Sequence, residues 1–102
     1  MKKTDIIIEI YEYLRSIGLA ANECEFSEHW LGCSSSYFRS LRFRNREPSI
    51  GSLGILASRL NMIGEQMLAT KMWRQMGLKV ISYAEQCAAE VNAGGLELDL
   101  AG

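Results

Sequence analysis

One proline, one histidine and three cysteines in 102 residues leave few of the groups from which catalytic and metal sites are made. The single histidine, His29, has no second imidazole to work with. There is no glycine-rich phosphate loop after a strand and no pair of carboxylates in a recognisable frame, so the sequence assembles no catalytic constellation and an enzyme is not expected. Cys24, His29 and Cys33 stand five and four residues apart with no fourth partner nearby, which fits no usual zinc spacing. No metal and no cofactor is expected. Cys24, Cys33 and Cys87 form an odd, widely spaced set, unlike the paired frameworks of small secreted domains, and reduced thiols are expected. No stretch approaches the roughly 18 uninterrupted apolar residues of a membrane span. Lys2-Lys3 followed by Asp5 and Glu9 makes a poor signal peptide, so a cytoplasmic protein with no membrane partner is the expectation.

Strong net charge is also lacking. The formal charge is −1 and the isoelectric point near 5.8, a balance that by itself argues against nucleic acid, whose partners are usually basic domains. The distribution of charge points the other way. From Asp5 to Glu28 six acids (Asp5, Glu9, Glu12, Glu23, Glu25 and Glu28) face one base, Arg15, and beyond Lys79 the acids Glu85, Glu90, Glu97 and Asp99 meet no base at all. Between them Arg39, Arg42, Arg44 and Arg46 fall within eight residues, with no acid from His29 to Arg46. A local basic patch on an acidic chain can hold a polyanion, because affinity follows the phosphates contacted rather than the sum of all charges.

With 48% hydrophobic residues and the length of one domain, the chain can bury a single core. A helix is predicted over 5–17, with Thr4 as N-cap, Asp5 favourable to the dipole, Gly18 as the stop, and Ile6, Ile10, Leu14 and Ile17 on one face. A second is predicted over 22–31, capped by Asn22, with Phe26 and Trp30 four apart on one side. Gly32 then makes a tight corner, and Ser34 caps a short helix over 34–41 whose exposed side is small, polar and basic. A polar loop over 42–48 follows, in which Asn45 tolerates a left-handed turn and Pro48 turns Glu47 away from helix. Ser49 caps a fourth helix whose Leu53, Leu56, Ala57 and Leu60 form one buried stripe, weakened by Gly51 and Gly54. Beyond Asn61 a longer helical region carries Ile63, Met67, Leu68, Met72, Met76, Val80, Tyr83, Cys87 and Val91 until Gly94-Gly95 ends it, with Gly77 as a possible break. The last residues, 96–102, alternate apolar and acidic, as a short strand or a frayed tail would.

The order Trp30-Leu31-Gly32-Cys33-Ser34, Ser36-Tyr37-Phe38, Leu41, then Arg46-Glu47-Pro48-Ser49 and the leucines of the fourth helix resembles the Cro and lambda-repressor-like (XRE-type) helix-turn-helix domains over about 22–60. The resemblance implies an all-α, five-helix unit over 4–61, extended by C-terminal helices over 62–93 and a tail over 94–102. It also implies a bacterial or phage regulator that binds double-stranded operator DNA, usually as a homodimer, with the second helix of the motif in the major groove. By position, Phe38 and Leu41 would be the buried residues of that helix. Ser34, Ser35, Ser36, Tyr37, Arg39 and Ser40 would face or flank the groove, and Arg42, Arg44, Asn45 and Arg46 would lie along the phosphates. The chain departs from the family four residues before the corner, where a small residue normally lets the two helices close. Here stands Glu28, whose charge is costly to bury unpaired. Arg42 and Arg44 replace a frequent glutamate and glycine, leaving Asn45 as the left-handed residue, and Cys33 replaces a branched aliphatic.

These features predict a transcriptional regulator of repressor type. Arginine is the commonest bidentate reader of guanine, and the serine and tyrosine hydroxyls nearby are usual phosphate ligands. The methionine-rich stretch from Met62 to Met76 suits either closure of the core or a dimer seam. The competing expectation is a protein-interaction module that keeps the fold without binding DNA, using the acidic first helix or the methionines to hold a protein partner.

Overall fold

A computed structural model describes the backbone of residues 2–101 and the side chains of residues 2–93. Every regular element among the described residues is helical, so the fold is all-α with five helices. The chain divides into two units, Met1–Ser52 and Leu53–Gly102.

In the first unit α1 spans Lys3–Ser16. It starts two residues before the predicted point, because Lys2 and not Thr4 is the N-cap, and the Asp5 carboxylate accepts from the Lys2 backbone N–H at 3.2 Å. Thr4 lies within the first turn, buried, and its Oγ1 donates to the Arg46 carbonyl at 2.7 Å. The helix ends as predicted at Gly18, whose φ is +82°. There the N–H groups of Gly18 and Leu19 reach back to the carbonyls of Arg15 (3.2 Å) and Leu14 (2.8 Å), a pairing that satisfies the last turn and needs a left-handed residue. The buried stripe is wider than predicted: Ile6, Ile7, Ile10, Tyr11 and Leu14 are all buried, while Ile17 is the half-exposed C-cap.

Asn22 caps α2 (Glu23–Glu25) as predicted, accepting from the Glu25 N–H at 2.9 Å. The helix then opens into a π-helical segment, Phe26–Trp30, in which the Leu31 N–H reaches the Phe26 carbonyl five residues back. Helix α3 spans Tyr37–Arg44 and α4 spans Ile50–Leu68. The rings of Tyr11, Phe26 and Phe38 meet with centroids 4.8–5.2 Å apart, tilted or edge-on. Tilted contacts of this kind each add about 0.5–1.5 kcal/mol beyond the area they bury. Phe26 and Phe38 are fully buried, and the core of this unit forms around them.

In the second unit α4 runs straight through Leu60, where the sequence pattern ends the fourth helix, and stops only at Leu68. A break at Thr70, in extended conformation, leads through a 3-10 turn at Lys71–Trp73 into α5, Arg74–Ala101. Gly77 is therefore not the break. It lies inside α5, where a Cβ would stand 2.9 Å from Met67 Cβ and 3.1 Å from the Gly64 carbonyl, and a Cβ on Gly64 would meet Ile81 at 2.6 Å. The two glycines let the backbones of α4 and α5 approach closely. Val80, Tyr83, Ala84 and Cys87 form the buried stripe of α5, and burial together with Glu90 pushes the Cys87 thiol up to about 12. The methionine stretch is divided. Met67 and Met76 are half-buried, whereas Met62, Met72, Trp73 and Leu78 are exposed. The backbone stays helical through Gly94 and Gly95 to Ala101, so these glycines neither end the helix nor precede a strand. No described helix is long and apolar enough to cross a membrane.

Candidate nucleic-acid interface

The exposed surface of α3 is fixed from the corner before it. Ser27, fully buried, donates from Oγ to the Ser34 carbonyl at 2.6 Å and accepts from the Phe38 N–H at 3.2 Å. One hydroxyl thus joins the preceding helix to the corner and to the first turn of α3. The Ser27 carbonyl also accepts from the Cys33 N–H at 3.0 Å, and Gly32 takes the left-handed conformation the corner requires, with φ +65°. A π-helical turn carries one residue more than an α-turn, which rotates the residues after it. It is the small Ser27, five residues before Gly32, that turns inward, and Glu28 is left exposed. The burial penalty expected for Glu28 does not arise. Trp30 is held by its own donor, Nε1 to the Leu19 carbonyl at 3.1 Å.

The helix itself is displaced from the predicted 34–41 to Tyr37–Arg44. Ser34 and Ser35 belong to the turn ahead of it, and the Ser34 carbonyl is already engaged by Ser27 and by the Tyr37 N–H. Ser36, not Ser34, is the N-cap, and its side chain makes no capping bond. Ser34, Ser35 and Ser36 are all exposed. At the other end Arg42 and Arg44 lie in the last helical turn rather than in a loop. Asn45 closes the helix in the left-handed region, φ 50° and ψ 41°, as the sequence predicts. The Arg46 N–H returns to the Leu41 carbonyl at 3.2 Å, while the Arg46 carbonyl is held by Thr4. Both backbone groups of Arg46 are thus engaged.

Tyr37 points another way. Its half-buried hydroxyl accepts from the Ser49 N–H at 3.0 Å and lies 3.3 Å from Ser52 Oγ, binding α3 to the first turn of α4. Ser49 caps that helix as predicted, its Oγ accepting from the Ser52 N–H at 3.1 Å. Arg42 is also engaged: Nη1 meets Glu23 Oε2 at 2.9 Å, and the guanidinium lies 5.7 Å from the centre of the Phe38 ring. These two residues hold neighbouring elements together. Arg39, Arg44 and Arg46 are exposed and form no ion pair among the described residues.

One residue on this surface escapes the sequence pattern. Phe43 is 85% exposed, the most exposed of the large apolar side chains described. With Phe38 and Leu41 buried, the 100° step per residue puts Ser36, Arg39, Ser40 and Phe43 on the outward face of α3. Read as sequence, Phe43 is one more apolar residue in a loop. Only the later helix end puts it four residues beyond Arg39 on the same face. Among the described residues no group of His, Cys, Asp and Glu is arranged to hold a metal ion. Cys24, Cys33 and Cys87 are free thiols, with Cys33 raised by burial.

A family model described as Family of unknown function (DUF6626) matches residues 7–98. The chain belongs to that family. The match covers the corner, α3 and most of α5, and so takes in the greater part of each unit. No curated protein and no solved structure matches the chain.

Proposed function

We propose that the protein is a sequence-specific DNA-binding regulator that lays the outward face of α3 in the major groove. The observation that carries this reading is the set of three exposed arginines, Arg39, Arg44 and Arg46, which form no ion pair among the described residues and stand on a helix and turn whose backbone is fixed by Ser27, Asn45 and Thr4. Exposed charge on a pre-set backbone is what phosphate binding needs, since little ordering is left to be done on contact. The resemblance of the corner to Cro and lambda-repressor-like domains supports the same reading. Arg39, in the middle of the outward face beside Ser36 and Ser40, is the base-contacting residue. Arg44 and Arg46, at the helix end and past the turn, are the phosphate anchors. A homodimer would present two such helices to half-sites about one DNA turn apart, roughly 34 Å.

Fluorescence anisotropy against a random-sequence duplex pool at low and at physiological salt tests this reading. Binding that weakens steeply with salt is expected. No binding even at low salt would remove it and leave the protein-interaction reading, which the exposed Met62, Met72, Trp73 and Leu78 support. Within the DNA-binding reading, Arg39→Ala weakens binding at one base position. Arg44→Ala and Arg46→Ala weaken it for all sequences.

A further inference from the structure

We infer that Phe43 is a specificity residue that reads the methyl group of a thymine in the major groove; the inference rests on the DNA-binding reading of α3. Phe43 is 85% exposed, and its ring has no aromatic or cationic partner among the described residues. An apolar side chain that serves the core would be buried, as Phe38 is five residues earlier. An apolar side chain that serves a protein contact would sit in an apolar patch, yet its chain neighbours are Arg42 and Arg44, with Arg39 four residues back and Arg46 three residues on. A protein partner covering this ring would have to desolvate or pair those charges. Duplex DNA meets both needs at once, with phosphates along the groove walls and, among the base edges of the major groove, one apolar group: the thymine methyl.

The geometry also sets where that thymine lies. Four residues along a helix are about 6 Å of axial rise, close to two base-pair steps of about 3.4 Å. The thymine is therefore expected about two base pairs from the base that Arg39 contacts. Stacking on an unpaired base is the other use of an exposed aromatic ring among arginines. A single-stranded competitor distinguishes it.

The test uses the full chain and a duplex selected from a random pool. Each thymine is replaced singly by deoxyuridine, which removes the methyl and nothing else, and affinities are measured for wild type, Phe43→Ala and Phe43→Leu. Wild type is expected to lose about fourfold at one position, the size expected for burying one methyl group. Phe43→Ala is expected to bind the two duplexes equally, and Phe43→Leu to keep part of the discrimination. Equal melting temperatures verify that the variants are folded. Indifference of wild type at every thymine, an undiminished loss in Phe43→Ala, or tighter binding to single strands would overturn the inference while DNA binding stood. Absence of salt-sensitive duplex binding would remove both.

Discussion

The two units of this small protein are held by different means. Met1–Ser52 is tied by side chains bonded to distant backbone: Thr4 to Arg46, Ser27 to Ser34 and Phe38, Trp30 to Leu19, Tyr37 to Ser49. Leu53–Gly102 relies on close approach of α4 and α5 at Gly64 and Gly77, and it leaves Met62, Met72, Trp73 and Leu78 exposed. A directional hydrogen bond fixes where a backbone segment points, whereas apolar packing fixes mainly how much area is buried. The first arrangement suits a surface whose side chains must be held at set positions. The second suits a helix pair with apolar surface to spare.

The largest effect should come from the core under α3. Phe38→Ala removes one ring of the buried trio and should cost about 3–5 kcal/mol, whereas Phe43→Ala, on the same helix but outside the core, should stay within about 0.5 kcal/mol of wild type. Thermal melts followed by circular dichroism check both, and a large loss for Phe43→Ala would show that its ring belongs to the core. Next is Ser27→Ala, which leaves the buried Phe38 N–H without its acceptor and the Ser34 carbonyl without one of its donors. The expected loss is about 1–3 kcal/mol. It should also weaken DNA binding, although Ser27 lies inside the fold; unchanged stability would mean that the corner is held by other contacts.

In the second unit, Gly77→Ala forces a Cβ against backbone atoms, an overpacking cost of about 1–3 kcal/mol that the better helix propensity of alanine offsets by up to about 1 kcal/mol. A lower melting temperature with unaltered DNA affinity is expected, and a rise would mean the helices part easily. The smallest effect should be Glu23→Gln. The pair it makes with Arg42 is partly exposed and screened by solvent, so its loss should cost at most about 0.5 kcal/mol. Freed of Glu23, Arg42 becomes available to phosphate, and DNA affinity should rise slightly. A fall would show that the pair is needed to seat α3.

The sequence was most legible where one residue type has one physical use. Gly18, Asn22, Gly32, Asn45 and Ser49 stand at the caps and turns their chemistry predicts, and the helical class follows from spacing. It was least legible where register depends on tertiary contacts. A π-helical turn carries no local signature, so Ser27 and Glu28 exchange the places that counting back from Gly32 assigns them. Three serines in a row can each start a helix, and which of them does so is decided by the bonds from Ser27, not by propensity. That shift of three residues moved Arg42 and Arg44 into the helix and Phe43 onto its outward face. Gly77 and Gly94-Gly95 read as breaks because glycine usually weakens a helix, yet at Gly77 close packing outweighs propensity.

The central claim is that α3 and its turn bind DNA through exposed arginines, and the most direct test is the slope of log affinity against log salt for wild type, Arg44→Ala and Arg46→Ala on one duplex. Each substitution is predicted to lower the slope by about 0.9, one phosphate contact per arginine. A wild type that does not bind, or two variants that keep its slope, would contradict the account.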